Sequence, residues 1–320
     1  MHLPTPVVLA AAILGPVALA AQDLPPYVPV NPILASRSAL YAQPMVPAAR
    51  GWHFRTVIDY SNAIEDDVSI DHRHYLLDAE ILQADLWITH DLSPRVFLVG
   101  EIPLRGGYAG ALDGFLNWYH DLIGIPIKAR SERPLNTFGW TFTLPDSQVN
   151  RLRPGTFLGD LRAGIGVRMG RSQLVATITA PTTPSSADGW GRGVIGTSLA
   201  LTSNFLRTPR VLLDGSANLG MTPKHGALAA YQHNVFVGSS LALRWRFSGS
   251  QAVFGTLWMQ SANGQKTGWG SVDDAEVTLD FGGLVRLGKN WPELQLGMTE
   301  DLMPRGPAID AGFKLGMRWR

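Results

Sequence analysis

The chain has 320 residues, 27 of them basic and 26 acidic, and no cysteine. A formal charge of +1 gives no electrostatic reason for a nucleic-acid partner, and the lack of cysteine excludes disulfides, thiolate metal sites, a cysteine nucleophile and a lipidated N-terminal cysteine. The 34 glycines, 10 tryptophans and 17% charged residues make the chain too apolar for disorder and too glycine-rich for a bundle of membrane helices.

Val7 to Ala20 is apolar, and Ala18-Leu19-Ala20 offers small residues for cleavage before Ala21. Residues 1–20 are therefore expected to be a cleavable signal peptide. No run of 18 apolar residues follows, so no spanning helix is expected. Residues 21–50 carry Pro25, Pro26, Pro29, Pro32, Pro44 and Pro47. Proline removes ladder donors, so this stretch is expected to be an extended periplasmic lead-in.

From Trp52 onward the hydropathy alternates with period two. In the last segment Ile309, Ala311, Phe313, Leu315, Met317 and Trp319 oppose Asp310, Gly312, Lys314, Gly316 and Arg318. The pattern predicts twelve strands: 52–62, 69–91, 94–105, 159–169, 172–181, 193–205, 209–219, 234–247, 250–261, 275–287, 292–300 and 308–319. Connections after the even-numbered strands are tight, while those after the odd-numbered ones are mostly longer and polar. Short turns on one side and long loops on the other predict an all-β fold, a single antiparallel outer-membrane barrel over residues 51–320 with both ends periplasmic. Only a closed barrel lets strands cross lipid with every backbone group paired. Trp52, Tyr60, Trp258, Trp291 and Trp319 are expected at the membrane interfaces.

Residues 106–158 interrupt the alternation. Leu112, Phe115, Leu116, Tyr119 and Ile123 fall on one helical stripe, ended by Gly124 and Pro126. A helical insertion between the third and fourth strands is therefore expected, as a lumen plug or an extracellular cap. Its apolar face must bury against something, and the lumen is the expected partner, with His120 and Asp121 aimed at Arg162 or Arg244. The candidate lumen-lining and plug residues are Trp118, His120, Asp121, Arg133, Asp160, Arg162, Arg244, Arg246, Glu276, Asp280 and Arg286. Their mixed signs predict a narrow lumen of paired charges, because an unpaired buried charge is costly.

The run Trp118-Tyr119-His120-Asp121-Leu122-Ile123-Gly124-Ile125-Pro126, followed by Arg133-Pro134-Leu135-Asn136, resembles the hallmark insertion of a bacterial family called domain of unknown function 3187. Asn31-Pro32, Gly159-Asp160-Leu161-Arg162 and Ala180-Pro181-Thr182 are similar to it as well. The resemblance implies an exported outer-membrane barrel and carries no activity.

Other constellations carry less. His233-Asn234 with Ser239 or Ser240 lacks the His-x-Ser spacing that would put base and nucleophile on one strand face. His72 and His74 flank Arg73 with no third ligand beside them, and Glu65-Asp66-Asp67 with Asp71 reads as a solvated acidic hairpin tip. No catalytic, cofactor or metal residues are assigned. The expected function is a narrow or plugged transport barrel for an unknown small solute. A structural or surface-interaction barrel is the alternative, and an outer-membrane lipid hydrolase a further one. Expected partners are outer-membrane lipids with lipopolysaccharide, and the barrel-insertion machinery during assembly.

Overall fold

The computed structural model describes residues 24–35, 41, 43–48, 51–124, 130, 132–144, 149–151, 153–184, 190–288, 291–303, 306–307 and 309–319. The signal segment 1–20 lies outside the described residues. Among the described residues fifteen strands form, in chain order β1 Trp52–Val68, β2 His74–Asp91, β3 Val96–Tyr108, β4 Gly139–Thr143, β5 Val149–Arg151, β6 Gly155–Leu158, β7 Leu161–Met169 and β8 Ser172–Ala180. They continue as β9 Gly196–Arg207, β10 Val211–Met221, β11 Val235–Arg246, β12 Gln251–Gln260, β13 Glu276–Arg286, β14 Glu293–Asp301 and β15 Ala311–Trp319. An insertion helix, Asp113–Ile123, sits between β3 and β4.

Twelve of these strands close a ring. β1 pairs with both β2 and β15, β2 with β3, β3 with β7, and each later strand with the next, all antiparallel. Closure leaves the ring without an edge. The short turns after β2, β7, β9, β11 and β13 lie at the same end as the start of β1 and the end of β15. The expected strand count and the one-sided turns are both present.

Period two separates the faces. Leu199, Leu201, Leu241, Leu243 and Leu315 are exposed on the outer wall, while Asp59, Asp85, Glu101, Arg244 and Asp280 are buried inside. An apolar outer belt around a polar interior is the inverse of a soluble fold. Trp52, Trp291 and Trp319 are exposed near the short-turn end. Trp258 is a correction: it shares its face of β12 with Phe254 and Thr256, so parity places it in the lumen, fully buried.

β1 runs further than the expected 52–62 and β2 begins later than the expected 69, the two pairing from Trp52↔His90 up to Val68↔His74. The expected acidic tip is therefore mostly strand: Glu65 is buried, Asp66 meets His74 Nε2 at 2.7 Å, and Asp67 accepts the Ser271 hydroxyl at 2.6 Å. Asp66 stays exposed on the strand, and the tip proper is solvated. There Arg73 Nε donates to Asp71 at 2.8 Å, and this bond with that of Ser69 holds the Asp71 carboxyl down at about 2.

The overhanging upper parts of β2 and β3 acquire partners from the insertion. β4 pairs with β2 over His74–Asp78, and β6 pairs with β3 over Leu104–Gly107. The stretch Phe138–Phe142, within the 106–158 interruption, thus includes a strand that covers an otherwise open edge.

Candidate functional site

The lumen is the site where buried polar chemistry collects. Two tiers differ in sign. Close to the short-turn end the inward face carries Arg55, Arg168, Arg244, Arg246, Arg286 and Arg318 against Asp91, Asp214 and Glu293. Further up it carries Asp59, Glu65, Asp85, Glu101, Glu276 and Asp280 against Arg105, Arg162 and Lys314. Pairing is extensive within each tier. Lys314 Nζ lies 2.6 Å from Asp280 and 3.5 Å from Asp59. Arg162 donates to Glu101, and Arg105 reaches Asp85 and Glu101 at 3.8 Å each. Glu293 serves Arg286 at 3.4 Å and Arg55 at 3.8 Å.

Of the lumen candidates, Arg162, Arg244, Arg246, Glu276, Asp280 and Arg286 do face inward, all of them buried except the half-buried Arg246. Asp160 sits at the loop end, where its Oδ1 accepts the Thr183 backbone N–H at 2.9 Å.

The segment that fills the lumen is the proline-rich lead-in. Its described residues are largely buried inside the barrel, where an extended periplasmic lead-in was expected. Leu24 packs with Leu212, Ala252 and Leu284 near the short-turn end. Tyr27 climbs to Trp258 and Phe236, and Val30 and Ile33 reach Tyr75 and Trp269 towards the loops. Asn31 Nδ2 donates to Glu65 at 2.8 Å there. The chain then returns. Tyr41 lies 5.3 Å from the Trp87 ring, with the Arg162 guanidinium 4.3 Å from its centroid. The returning limb is held mainly through its backbone. Gln173 Oε1 accepts Val46 N–H at 2.8 Å, Asp214 accepts Met45 N–H at 3.3 Å, and Thr202 donates to Gln43 O at 2.7 Å. A proline-rich chain without ladder partners finds side-chain partners on the wall instead. Gly166 makes room below: a Cβ there would come within 2.1 Å of the Phe97 ring, over which Arg168 stacks.

The insertion helix is outside the barrel, which corrects the plug reading for Trp118, His120, Asp121 and Arg133. Its Phe115 ring lies 6.1 Å from Phe313 on the outer wall. Leu116 and His120 are buried, Asp121 is exposed, and Trp118 and Leu122 are 59% and 67% exposed. The physical reason is on the wall. Asn62, Asp78 and Glu80 occupy outward positions of β1 and β2, where bare carboxylates would be costly. The insertion covers them. Asn62 donates to Asp113 at 2.8 Å, Arg133 donates to Asp78 at 2.5 Å, and Arg130 joins Asp113, Asn62 and Asp310. Glu80 accepts the backbone N–H groups of Ala111 and Leu112. Gly110, at φ +66°, lets the chain pass that carboxylate where a Cβ would collide.

This docking has a pH dependence. Burial lowers the His120 imidazole below its ordinary value of 6.5, Arg130 pushes the same way, and Asp121 opposes both. A histidine held neutral when docked takes up a proton more readily when released. Docking is therefore expected to weaken as pH falls below 6.5. A Trp118→Cys variant, single-cysteine in this chain, can carry an environment-sensitive fluorophore. Its emission in bilayers is expected to change as pH falls below 6.5, and His120→Gln should flatten that response. An unchanged pH response in the His120→Gln background would assign the effect to another group.

The remaining constellations are not assembled. Ser240 faces the lumen and bonds Ser216 at 2.7 Å, while His233 lies in a loop whose carbonyl accepts Arg192 at 2.6 Å. That arginine was missed from sequence. It is buried, it also donates to Thr222 O and Asn263 Oδ1, and it ties three loops together. Burial draws its guanidinium down to about 10.

Three solved structures are similar in fold. The COG4313 outer membrane channel from Pseudomonas putida F1 is 15% identical, covering 85% of this chain and 96% of that one with a TM-score of 0.53. The NanC porin is 5% identical, with 84% and 100% coverage and a TM-score of 0.44. The P. putida toluene transporter TodX is 10% identical, with 85% and 89% coverage and a TM-score of 0.40. Among curated proteins none matches the chain in sequence. The profile of a protein family of unknown function, DUF3187, matches residues 43–320. That range omits Asn31-Pro32 and Tyr41 but takes in Gln43 to Pro47 of the plug's returning limb, the outer helix and every barrel strand: the chain belongs to the DUF3187 family.

Proposed function

We propose that the chain is an outer-membrane transport barrel for small solutes, closed at rest by its own N-terminal segment. The carrying observation is how that segment is held. The returning limb makes hydrogen bonds to Gln173, Thr202, Asp214 and Arg168, all of which water can replace. Each such bond contributes only about 0.5–1.5 kcal/mol net. The lumen wall stays polar elsewhere too: Gln295, Asn218 and Thr256 bury side-chain atoms that lack a protein partner among the described residues. Buried polar atoms of this kind call for solvent. A barrel serving only as an anchor gains nothing from a hydrated wall behind a displaceable segment. The fold shared with an outer membrane channel is in keeping with this reading.

In the same reading the exported chain inserts through the apolar belt, and the exposed Phe115, Trp118 and Leu122 rest among outer-leaflet lipids. No catalytic role is part of the proposal. The test is single-channel recording of the full barrel in planar bilayers, paired with solute entry into proteoliposomes. Brief openings of small conductance and entry of small neutral solutes are expected. A trace that stays closed at every voltage, with no solute entry, would favour the surface-anchor alternative.

A further inference from the structure

We infer that the inner mouth of the barrel, at its short-turn end, is a cationic vestibule that gathers small anionic solutes. The inference rests on the transport reading only for its purpose, and on the fold for its place. The turns after β2, β7 and β9 follow one another around the ring and carry four arginines: Arg95, Arg171, Arg207 and Arg210. All four are exposed, and none of their side chains has a hydrogen bond or ion pair among the described residues.

The backbone fixes three of them in the same way. The carbonyls of Arg95, Arg171 and Arg210 accept the backbone N–H groups of Arg168, Asn204 and Arg246, each on the next hairpin. Each bond carries a ladder one step past its last pair: Val96↔Val167, Ser172↔Ser203 and Val211↔Trp245. Residues directly opposite share a face, and Arg168, Asn204 and Arg246 face the lumen. Arg207 is paired with Leu212, which packs on Leu24 of the plug. The four arginines therefore stand on the lumen side of the rim, while the exposed Leu92, Met169 and Leu206 take the lipid side. That separates them from basic side chains that snorkel to lipid headgroups.

Turn geometry does not call for arginine here. In the turn after β11, Ser250 holds the same place, its carbonyl accepting the Arg286 N–H. The rim also lacks a counter-charge. Residues 92–95, 170–171, 208–210, 247–250 and 287–292 include no Asp or Glu, and Asp91 at the foot of β2 is engaged by Arg168 at 2.6 Å. A concave mouth lined by one sign focuses its field and raises the local concentration of the opposite ion. Guanidinium groups suit the oxygens of carboxylate and phosphate. Higher in the lumen the balance turns acidic, so anions collect at the mouth and not along the whole pore. In the transport reading, the solutes presented at this end are anionic.

The chain has no cysteine, so Pro209→Cys places a single thiol between Arg207 and Arg210. The full-length variant, folded in a neutral detergent, is labelled with two methanethiosulfonates of similar size, one bearing a sulfonate and the other a trimethylammonium. Their rate ratio, divided by the same ratio for mercaptoethanol, reports the local potential and cancels any change in thiolate fraction. The anionic reagent is expected to be favoured roughly tenfold at about 0.01 M salt, and the preference to fade at about 0.5 M. Replacing all four arginines by Gln should bring the ratio to within about twofold of mercaptoethanol. If that variant loses the heat-modifiable folded form, Arg95→Gln with Arg171→Gln leaves the labelled turn intact and should still reduce the preference. No preference for the anionic reagent at low salt, or a preference that these substitutions leave unchanged in a folded barrel, would overturn the vestibule. Single-channel recording separates the two readings. A preference without current or solute entry keeps the vestibule and removes the channel. Current without a preference keeps the channel and removes the vestibule.

Discussion

Deleting residues 24–48 is expected to raise single-channel conductance several-fold and to make cells more sensitive to large antibiotics. The described lead-in residues occupy the lumen from Leu24 near the inner mouth, up to Ile33 near the loops, and back to Pro47. Eight strands close on a space that wall side chains alone can fill, whereas twelve enclose more. Here Tyr27, Val30, Tyr41 and Gln43 supply the difference, each nearly solvent-inaccessible. The wall does not need the plug to close, because β1 and β15 pair directly over Phe54–Asn62. The deleted barrel should therefore still fold and show the heat-modified shift of an intact one. Deleting 109–135 serves as the contrast. It removes the outer helix, exposes Asp78 and Glu80 on the outer wall, and should lower stability without raising conductance. Equal conductance of the 24–48 deletion and the parent, both folded, would show that something other than this segment closes the pore.

The contrast between the two deletions shows where sequence reading ran out. The strands were legible because each alternates by itself: Leu241, Leu243 and Trp245 against Arg244 and Arg246 need no knowledge of a neighbour. The plug was not legible, since a proline-rich stretch has no period and its partners, Gln173 and Asp214, lie far along the chain. The helix was legible as a helix but not in its placement. Its apolar residues wrap widely enough to suit lumen or lipid alike. The deciding signal was on β2. Asp78 and Glu80 share the parity of Leu82 and Leu86, so the strand pattern alone puts two carboxylates on the lipid-side wall. Carboxylates there demand a cover bearing donors, and Arg130 and Arg133 of the insertion are the donors at hand. The meeting of Arg55 and Arg318 had no linear signature, because they are neighbours only through closure of the first strand on the last.

Replacing Lys314 by Met is expected to cost about 3–5 kcal/mol of barrel stability, since removing one partner of a buried ion pair leaves the other charge uncompensated. Lys314 has a 1% exposed side chain and lies between Asp280, at 2.6 Å, and Asp59, at 3.5 Å. Without the ammonium, two carboxylates face each other in the lumen, with Asp85 and Glu276 on the same wall. The loss also reaches the plug. Lys314 Nζ lies 5.2 Å from the Tyr27 ring centroid, a cation–π contact worth about 0.5–2 kcal/mol when desolvated. Lys314→Met should thus lower the urea midpoint and loosen the ascending limb together. The double variant Lys314→Met with Asp280→Asn removes the orphaned charge nearest the lysine. It should recover part of the stability, though not the Tyr27 contact. Full-length protein and the 24–48 deletion, each with and without Lys314→Met, then form a cycle. If Tyr27 shares in the loss, the substitution costs less in the deleted barrel than in the intact one. An unchanged urea midpoint for Lys314→Met would mean that Asp59 and Asp280 are neutral or solvated in the barrel, and that the lysine does not organise the lumen.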